Sequence, residues 1–489
     1  MKNLPFIFIA FVFSACSTKQ SFKNLDFSQQ CDTSKTGLCY WDLSWGGKQA
    51  VRPEKSGTEQ WMLITGDEEN SVGFAEQSLL VSSSKSLQII SVSARMSSID
   101  VKGRGAGLNL GIYDTAGNLI FTKGMGYAAA NWMKGNSDWK AYTIKAVCPV
   151  GTAKIKLGAI LYGKGQARFD DYKVELTEVE GRSASDLAID YISAAADTIA
   201  RNSLYKDSID INSIKKTALM IAGPAKTYQD CHLAVEYMIE ALRPAGDHHS
   251  FFMSPQEVKG WANTSDESAN IQYANYKIIE DYGYINVPPF HGGNKKLMIA
   301  YADTMQKALQ ELDQKNIKGW IIDLRGNTGG NMEPMIVGLG PIFSGEGLGY
   351  LVDINNKKES WHYRNGTYYW ENSAGISATS PYKLSSQKPI AVLFGPQTGS
   401  SGEVVLISFI GNSNTRTFGQ SSWGLTTGND GFDLKDSGRM MLASTRMADR
   451  NGKIYYGRIE PDQLIEQNRN EKDDQVIRAA INWFKSITR

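Results

Sequence analysis

The segment KGWIIDLRGNTGGN at residues 318–331 decides the fold class of the second half of this chain. It has the pattern of a buried strand followed by a glycine-rich turn. The segment PIAVLFGPQTGSSGEVVLI at residues 389–407 repeats the arrangement, with an apolar strand that passes through a turn into a helix. Because such strands alternate with helical patterns from Tyr282 onward, the sequence predicts an α/β core over residues 270–489.

The chain before this core shows two other patterns. Short runs rich in β-branched residues, such as SLQIISVSA at residues 86–94, predict an all-β sandwich over residues 25–178. Apolar residues three to four positions apart predict a small helical subdomain over residues 183–252. We therefore expect a multidomain protein in which a jelly-roll sandwich precedes the helical subdomain and the α/β core.

Composition excludes several classes of function. The chain has 489 residues, of which 42% are hydrophobic and 21% are charged, as in globular proteins. Its formal charge of +1 gives no general attraction for phosphate backbones, so we expect no nucleic-acid partner. The sequence contains no dinucleotide fingerprint, no P-loop and no HExxH zinc segment, and we expect neither a cofactor nor a metal.

The N-terminus has the pattern of an exported protein. A charged start and an apolar run predict a signal peptide at residues 1–15, and FSAC at residues 13–16 resembles a bacterial lipobox. Lipidation at Cys16, followed by a tether at residues 16–24, would make the acyl chains the only membrane attachment. An ordinary signal peptide with a chance cysteine is the alternative. No Asp follows at the second position after Cys16, which favours the outer membrane and leaves its periplasmic and surface faces open. Among the other cysteines, Cys31 and Cys39 are the pair that we expect to form a disulfide.

Two segments carry candidate catalytic side chains. Ser400 stands at a strand-to-helix junction, where free helix N–H groups stabilise an oxyanion. The same Ser400-x-x-Glu403 pattern is also a capping box, which would start the helix without catalysis. The segment LRPAGDHHSFF at residues 242–252 contains His248 and His249, which are either surface residues or a source of a general base.

Taken together, these segments resemble one family. DLRGNTGG at residues 323–330, TGSSGE at 398–403, DHHS at 247–250 and IEPD at 459–462 resemble the C-terminal processing, or tail-specific, serine peptidases in their tricorn-like branch. The resemblance implies a core of the ClpP- and crotonase-like type and a peptide or protein substrate. It assigns the nucleophile to Ser400, the general base to His249, the orienting acid to Glu460, the oxyanion hole to the amides of Ser401 and of Gly329 or Gly330, and auxiliary roles to His248 and Glu403.

The chain departs from the family pattern in two places. Leu425 stands where the Ser–Lys branch has its lysine, so we expect no Ser–Lys dyad. Only residues 253–272 separate the histidine segment from the core, which is too short for a PDZ domain.

A second function therefore stays open, that of a catalytically inactive peptidase fold that binds glycans or peptides. GKGQARFDDYKVEL at residues 163–176 resembles the closing strand of galactose-binding-like jelly rolls, a group that includes carbohydrate-binding modules. The five tryptophans of this half, Trp41, Trp45, Trp61, Trp132 and Trp139, either pack in the sandwich or stack on sugar rings. The same choice applies to the aromatic insertion at residues 343–386.

Overall fold

A computed structural model of the chain describes residues 21–34, 36–45, 50–67, 72–81, 84–125, 132–179, 181, 183–262, 271–466 and 474–487. The expected signal peptide, the start of the tether and the lipidation site at Cys16 lie outside the described residues. None of the described helices has the length and apolar character needed to cross a bilayer.

An antiparallel sheet of nine strands forms the N-terminal part of the described chain. The strands are β1 (Asp42–Trp45), β2 (Ala50–Ser56), β3 (Glu59–Gly66), β4 (Val72–Leu80), β5 (Gln88–Tyr113), β6 (Leu119–Lys123), β7 (Met133–Cys148), β8 (Lys154–Tyr162) and β9 (Gly165–Glu178). The first half of β5 pairs with β7 and β9, and its second half pairs with β8 and β6. Because one long strand belongs to both halves, the sheet curls over a single core.

Buried and partly exposed residues alternate along the first half of β5, so one face of the sheet lies on the core and the other faces solvent. Ile90, Val92, Ala94 and Met96 are buried at every second position, and they share one hydrophobic cluster with Leu108 from the second half of the strand. The fold class predicted for this region is therefore confirmed.

The tryptophans of the sandwich mostly serve packing. Trp41, Trp61 and Trp132 are buried, whereas Trp139 is partly exposed and meets the edge of Trp61 at 5.8 Å between ring centroids. The side chain of Trp45 lies outside the described part of the structure. A disulfide joins Cys31 to Cys39, as expected.

Three helices follow the sandwich: α1 (Asp186–Asn202), α2 (Ile211–Ala222) and α3 (His232–Glu240). Side-chain caps start the first two, because Ser185 accepts the amide of Ala188 and Asp210 accepts two amides of α2. The buried faces of these helices pack on Leu434, Met440 and Leu442 from the C-terminal part of the chain. This contact holds the end of the helical region, where the histidine segment begins, against the core.

The strands of the central sheet of the core are β11 (Asn275–Ile279), β12 (Tyr282–Asn286), β13 (Gly319–Asp323), β18 (Ile390–Phe394), β19 (Thr415–Gly419) and β22 (Gln463–Leu464). They lie side by side in the sheet in the order β11-β12-β13-β18-β19-β22. All of its pairings are parallel except that of β11 with β12. The accompanying helices are α4 (Pro255–Ala262), α5 (Lys295–Asp313), α6 (Met332–Leu339), α7 (Ser401–Phe409) and α8 (Gln475–Ile487). Every residue of β13 and β18 is buried, as the continuous apolar runs predicted.

A second sheet lies beside the parallel one. It contains β10 (Phe251–Met253), β14 (Gly347–Asp353), β15 (Lys358–Arg364), β16 (Thr367–Trp370), β17 (Ser373–Ser377), β20 (Thr427–Asp433) and β21 (Arg439–Asp449). The aromatic insertion supplies four of these strands, and Trp361 from it is fully buried with its indole N–H donated to Ser408 Oγ at 2.9 Å. This part of the insertion therefore packs against the core.

Candidate active site

Ser400 occupies a tightly held turn between β18 and α7. Its backbone has φ +51° and ψ −122°, a conformation that costs free energy for a residue with a side chain. Neighbouring hydrogen bonds impose it, because Thr398 Oγ1 donates to the Leu324 carbonyl at 2.8 Å and the amide of Gly399 donates to the Asn327 carbonyl at 3.1 Å. The turn places Ser400 directly before the first residue of α7, where the amides of Gly402 and Glu403 already donate to the Gly399 and Ser400 carbonyls and the amide of Ser401 has no acceptor among the described residues.

His249 meets Ser400 across 151 positions of sequence. Its Nε2 lies 2.9 Å from Ser400 Oγ, and its Nδ1 lies 2.8 Å from Thr427 Oγ1. Asp247, which is almost fully buried, accepts the amides of His249 and Ser250 and so fixes the loop. With the Nδ1 hydrogen donated to Thr427, Nε2 presents its lone pair to the Ser400 hydroxyl.

The glycine-rich turn after β13 lies against the turn between β18 and α7 that holds Ser400, called the nucleophile turn below. Gly329 and Gly330 have φ +101° and +109°, and a Cβ on Gly329 would lie 2.9 Å from Ser400 Cβ. The amide of Gly329 donates to Asn327 Oδ1 at 3.0 Å, so it is not free to bind an oxyanion. The amides of Gly330 and Ser401 donate to no acceptor within the described residues. Ser401 Oγ donates to the Gly330 carbonyl at 2.7 Å and joins the two turns.

Comparison with known proteins relates part of the chain to one family. Residues 281–465 match the model of peptidase family S41. The chain contains a peptidase family S41 domain. The S41 domain covers the glycine-rich turn, the nucleophile turn and Thr427, whereas His249 comes from the chain before it.

Two curated proteins resemble the chain. The nisin-resistance protein of Lactococcus lactis subsp. lactis is 29% identical over 298 residues, which are 60% of this chain and 86% of that protein. The carboxy-terminal processing protease CtpA of Bacillus subtilis (strain 168) is 26% identical over 161 residues, which are 33% of this chain and 31% of CtpA. Among solved structures, a lipoprotein from Streptococcus agalactiae is 27% identical with a TM-score of 0.49, and the match covers 61% of this chain and 96% of that chain.

Burial keeps the imidazole of His249, beside Ser400, neutral. It lowers the pKa of His249 from 6.5 to about 4, while the charge of Asp247 and a backbone hydrogen bond to Thr427 act in the opposite direction. His249 is therefore unprotonated at neutral pH and can accept the Ser400 proton.

The structure does not bring Glu460 to the histidine. The Glu460 carboxylate is exposed and accepts a hydrogen bond from Ser421 Oγ at 2.7 Å. The preceding residue, Ile459, is buried and donates its amide to Ser422 Oγ, whereas the Glu460 side chain lies at the surface. The expected orienting acid is thus replaced by a neutral hydroxyl on Thr427. Sequence reasoning missed Thr427 because only the pairing of β20 in the second sheet brings it to His249.

Glu403, the auxiliary candidate that lies in the S41 domain, is next to the turn at Ser400. Glu403 is fully buried, and its carboxylate accepts the amides of Ser400 and Gly424 at 2.9 and 2.8 Å and the Ser422 hydroxyl at 2.5 Å. Burial raises the pKa of Glu403 to about 7, although each of these hydrogen bonds lowers it. Glu403 therefore stabilises the turn at Ser400 through the hydrogen bond from the Ser400 amide.

His248 and Leu425 complete the comparison with the sequence. His248 is exposed, and its Nδ1 lies 3.3 Å from the guanidinium of Arg243 rather than at the nucleophile. Leu425 packs near the nucleophile turn, where its Cδ1 would lie 3.6 Å from a Cβ on Gly399. Within the described ranges, no group of three His, Cys, Asp or Glu side chains is placed to hold a metal ion.

Proposed function

We propose that this protein is a serine peptidase of the bacterial cell envelope that hydrolyses peptide bonds through Ser400. The observation that carries the proposal is the 2.9 Å approach of His249 Nε2 to Ser400 Oγ at the start of α7. A base within hydrogen-bond reach of a hydroxyl is the requirement for nucleophilic catalysis by serine.

The geometry supports a sequence of four steps. His249 Nε2 takes the proton of Ser400 Oγ as this oxygen attacks the substrate carbonyl carbon. The amides of Ser401 and Gly330 bind the oxyanion that forms. His249 then donates its proton to the departing amine, which leaves an acyl group on Ser400. A water molecule, activated by the same imidazole, attacks this ester and releases the second product.

The hydroxyl of Thr427 gives this catalytic arrangement a neutral orienting group. It fixes the ring and accepts the Nδ1 hydrogen, yet it supplies no negative charge to stabilise the imidazolium. The Asp247 carboxylate raises the pKa of His249 through its charge and not through a hydrogen bond to the ring. We therefore propose a Ser400–His249 dyad that is positioned by Thr427, with Glu403 holding the turn.

Envelope location follows from the N-terminus and agrees with the relatives. The expected signal peptide and the lipobox-like segment ending at Cys16 would attach the protein to a membrane surface. The relatives include a protein described as a lipoprotein and one named for resistance to nisin. These names make peptides that reach the cell surface the first substrates to test, with nisin among them.

Glycan binding by the sandwich has little support in the described residues. Trp41, Trp61 and Trp132 are buried, and the guanidinium of Arg95 lies 5.2 Å over the ring of Trp139. The sandwich therefore serves better as a packed spacer, and catalysis is the better account of the C-terminal half.

The test is cleavage of nisin and of a mixed synthetic peptide library by the full chain, followed by mass spectrometry. We expect cleavage that Ser400→Ala and His249→Ala abolish. Glu460→Gln is the matched control, since its carboxylate contacts only Ser421 Oγ among the described residues, and we expect wild-type rates from it. A folded Ser400→Ala variant with undiminished cleavage would refute the proposal.

A further inference from the structure

Arg446 lies on β21, which pairs with β20, the strand whose Thr427 contacts His249. In the antiparallel pair of β20 and β21, Arg446 is directly opposite Thr427. Residues in this relation direct their side chains to the same face of the sheet, with Cβ atoms about 4.5–5.5 Å apart. Because the Thr427 hydroxyl contacts His249 on that face, the Arg446 side chain emerges beside the general base.

Two tyrosine rings hold the Arg446 side chain. Its guanidinium carbon lies 4.9 Å from the ring centroid of Tyr456 and 5.8 Å from that of Tyr205. The Tyr205 ring packs near Gly246, just before the histidine segment, and Tyr456 is 73% exposed. Stacking of this kind orients the planar guanidinium and leaves N–H donors at its edge for another acceptor.

No carboxylate within the described residues forms an ion pair with Arg446. Two acidic groups on the neighbouring segments, Asp247 and Asp430, have other partners. Asp247 accepts the amides of His249 and Ser250 and the Ser250 hydroxyl, and Asp430 accepts the hydroxyl of Ser444. Among the described residues, therefore, no ion pair neutralises the charge of Arg446, whose side chain also hydrogen-bonds to Tyr205.

A purely structural role for Arg446 would need none of these properties. A brace between Tyr205 and Tyr456 could be an uncharged side chain of similar length, whereas a partly exposed guanidinium beside a general base has donors that match a carboxylate in pairs. The alternative is testable, because a brace affects every substrate equally and a binding group affects only charged substrates.

We propose that Arg446 binds a carboxylate of the peptide substrate beside the Ser400–His249 dyad, and this proposal rests on the proposed peptidase function. The carboxylate belongs either to the free C-terminus of the substrate or to an Asp or Glu side chain near the cleaved bond. Both sources present the same two oxygen atoms to the guanidinium, so the site selects anionic peptides over neutral ones.

The experiment uses the full chain and synthetic peptides in matched forms. Each peptide that wild type cleaves is prepared with a C-terminal acid or amide, and with its Asp and Glu either kept or replaced by Asn and Gln. The test variant is Arg446→Met. The control is Arg439→Gln, an arginine of the same strand that pairs with Asp433. Comparison of the four peptide forms identifies which carboxylate is bound.

We expect Arg446→Met to raise KM for the preferred carboxylate form by roughly 10- to 100-fold, the range set by one charge-assisted interaction. Its kcat, and its kinetics on the neutral forms, should equal those of wild type, and Arg439→Gln should behave as wild type throughout. Equal loss on charged and neutral peptides would show that Arg446 is a brace. Absence of any preference for carboxylate forms in wild type would also overturn the proposal.

A binding measurement separates this proposal from the peptidase assignment. Fluorescence polarisation with fluorescently labelled peptides from the library, prepared in the same four forms whether or not wild type cleaves them, is measured on Ser400→Ala and on the double variant Ser400→Ala/Arg446→Met. Tighter binding of the carboxylate form to the first protein, lost in the second, supports the Arg446 site even if wild type hydrolyses nothing. Equal binding of both forms to Ser400→Ala would refute the Arg446 site while leaving hydrolysis by Ser400 untouched.

Discussion

Replacement of Thr427 by valine tests the neutral orienting group in the proposed dyad. Valine keeps the shape of threonine and removes the oxygen atom that lies 2.8 Å from His249 Nδ1. In the ground state the lost hydrogen bond is between neutral groups and is worth about 0.5–1.5 kcal/mol, whereas a bond to the imidazolium of the transition state is worth about 1.5–3 kcal/mol. Only the difference between the two, about 1–2 kcal/mol, slows the chemical step.

This difference sets the expected kinetics. We predict that Thr427→Val lowers kcat by roughly 5- to 30-fold. That loss is far smaller than the factor of about 10⁴ that follows removal of the orienting carboxylate in a Ser-His-Asp triad. The pKa of His249 should fall further, because the Thr427 hydroxyl that valine removes also stabilises the protonated ring, while the backbone hydrogen bond to residue 427 stays. Since the base must be neutral, the acid limb of kcat/KM, which lies near pH 4 in wild type, should move to lower pH.

The assay is the pH dependence of kcat and kcat/KM on one cleaved peptide. Thr445→Val is the matched control, because its hydroxyl lies 3.4 Å from the Gly428 carbonyl in the same sheet and does not contact His249. We expect wild-type kinetics from the control. A loss for Thr427→Val as large as that for His249→Ala, or no loss at all, would refute the reasoning.

Three further predictions concern the two turns and the histidine. Gly330→Ala should abolish activity and lower the melting temperature in a thermal scan, because a Cβ there would overlap the Phe290 carbonyl in a backbone of positive φ; a fully active, equally stable variant would contradict this. Because the folded pKa of Glu403 is raised from 4.5 to about 7, this carboxyl should reduce the free energy of unfolding as pH rises through that interval. Urea titrations at several pH values give the free energy of unfolding as a function of pH. It should fall more steeply with pH in wild type than in Glu403→Gln, and the same pH dependence in both proteins would argue against this prediction. Wild-type kcat/KM should fall as pH drops through about 4, where His249 becomes protonated, and an acid limb near 6.5 would show that the ring is not desolvated.

The sequence predicted elements whose signal is local. Apolar runs located β13 and β18, and the serine at the strand-to-helix junction stands where the structure has the start of α7. The curl of the N-terminal sheet was not predictable in the same way, because it depends on β5 continuing for 26 residues through two sets of partners. Alternating burial identifies a two-sided strand, but it does not say where the strand changes neighbours.

The candidate site shows the same division between local and tertiary information. Ser400 and His249 stand in recognisable segments, whereas the contact of Thr427 with His249 depends on strands that meet only in the folded chain. The assignment of Glu460 is wrong for a different reason. Its segment is identified from the sequence, but the sequence does not show in which direction the Glu460 side chain lies. In the structure Ile459 is buried and the Glu460 side chain lies at the surface.

Covalent labelling of Ser400 tests the central claim most directly and needs no knowledge of the substrate. The full chain is treated with diisopropyl fluorophosphate at pH 7.5, and the adduct is located by peptide mass spectrometry. The account predicts one adduct, on Ser400, that forms much more slowly in His249→Ala and is absent from Ser400→Ala. A folded wild type that forms no adduct, or one that reacts at the same rate without His249, would contradict it.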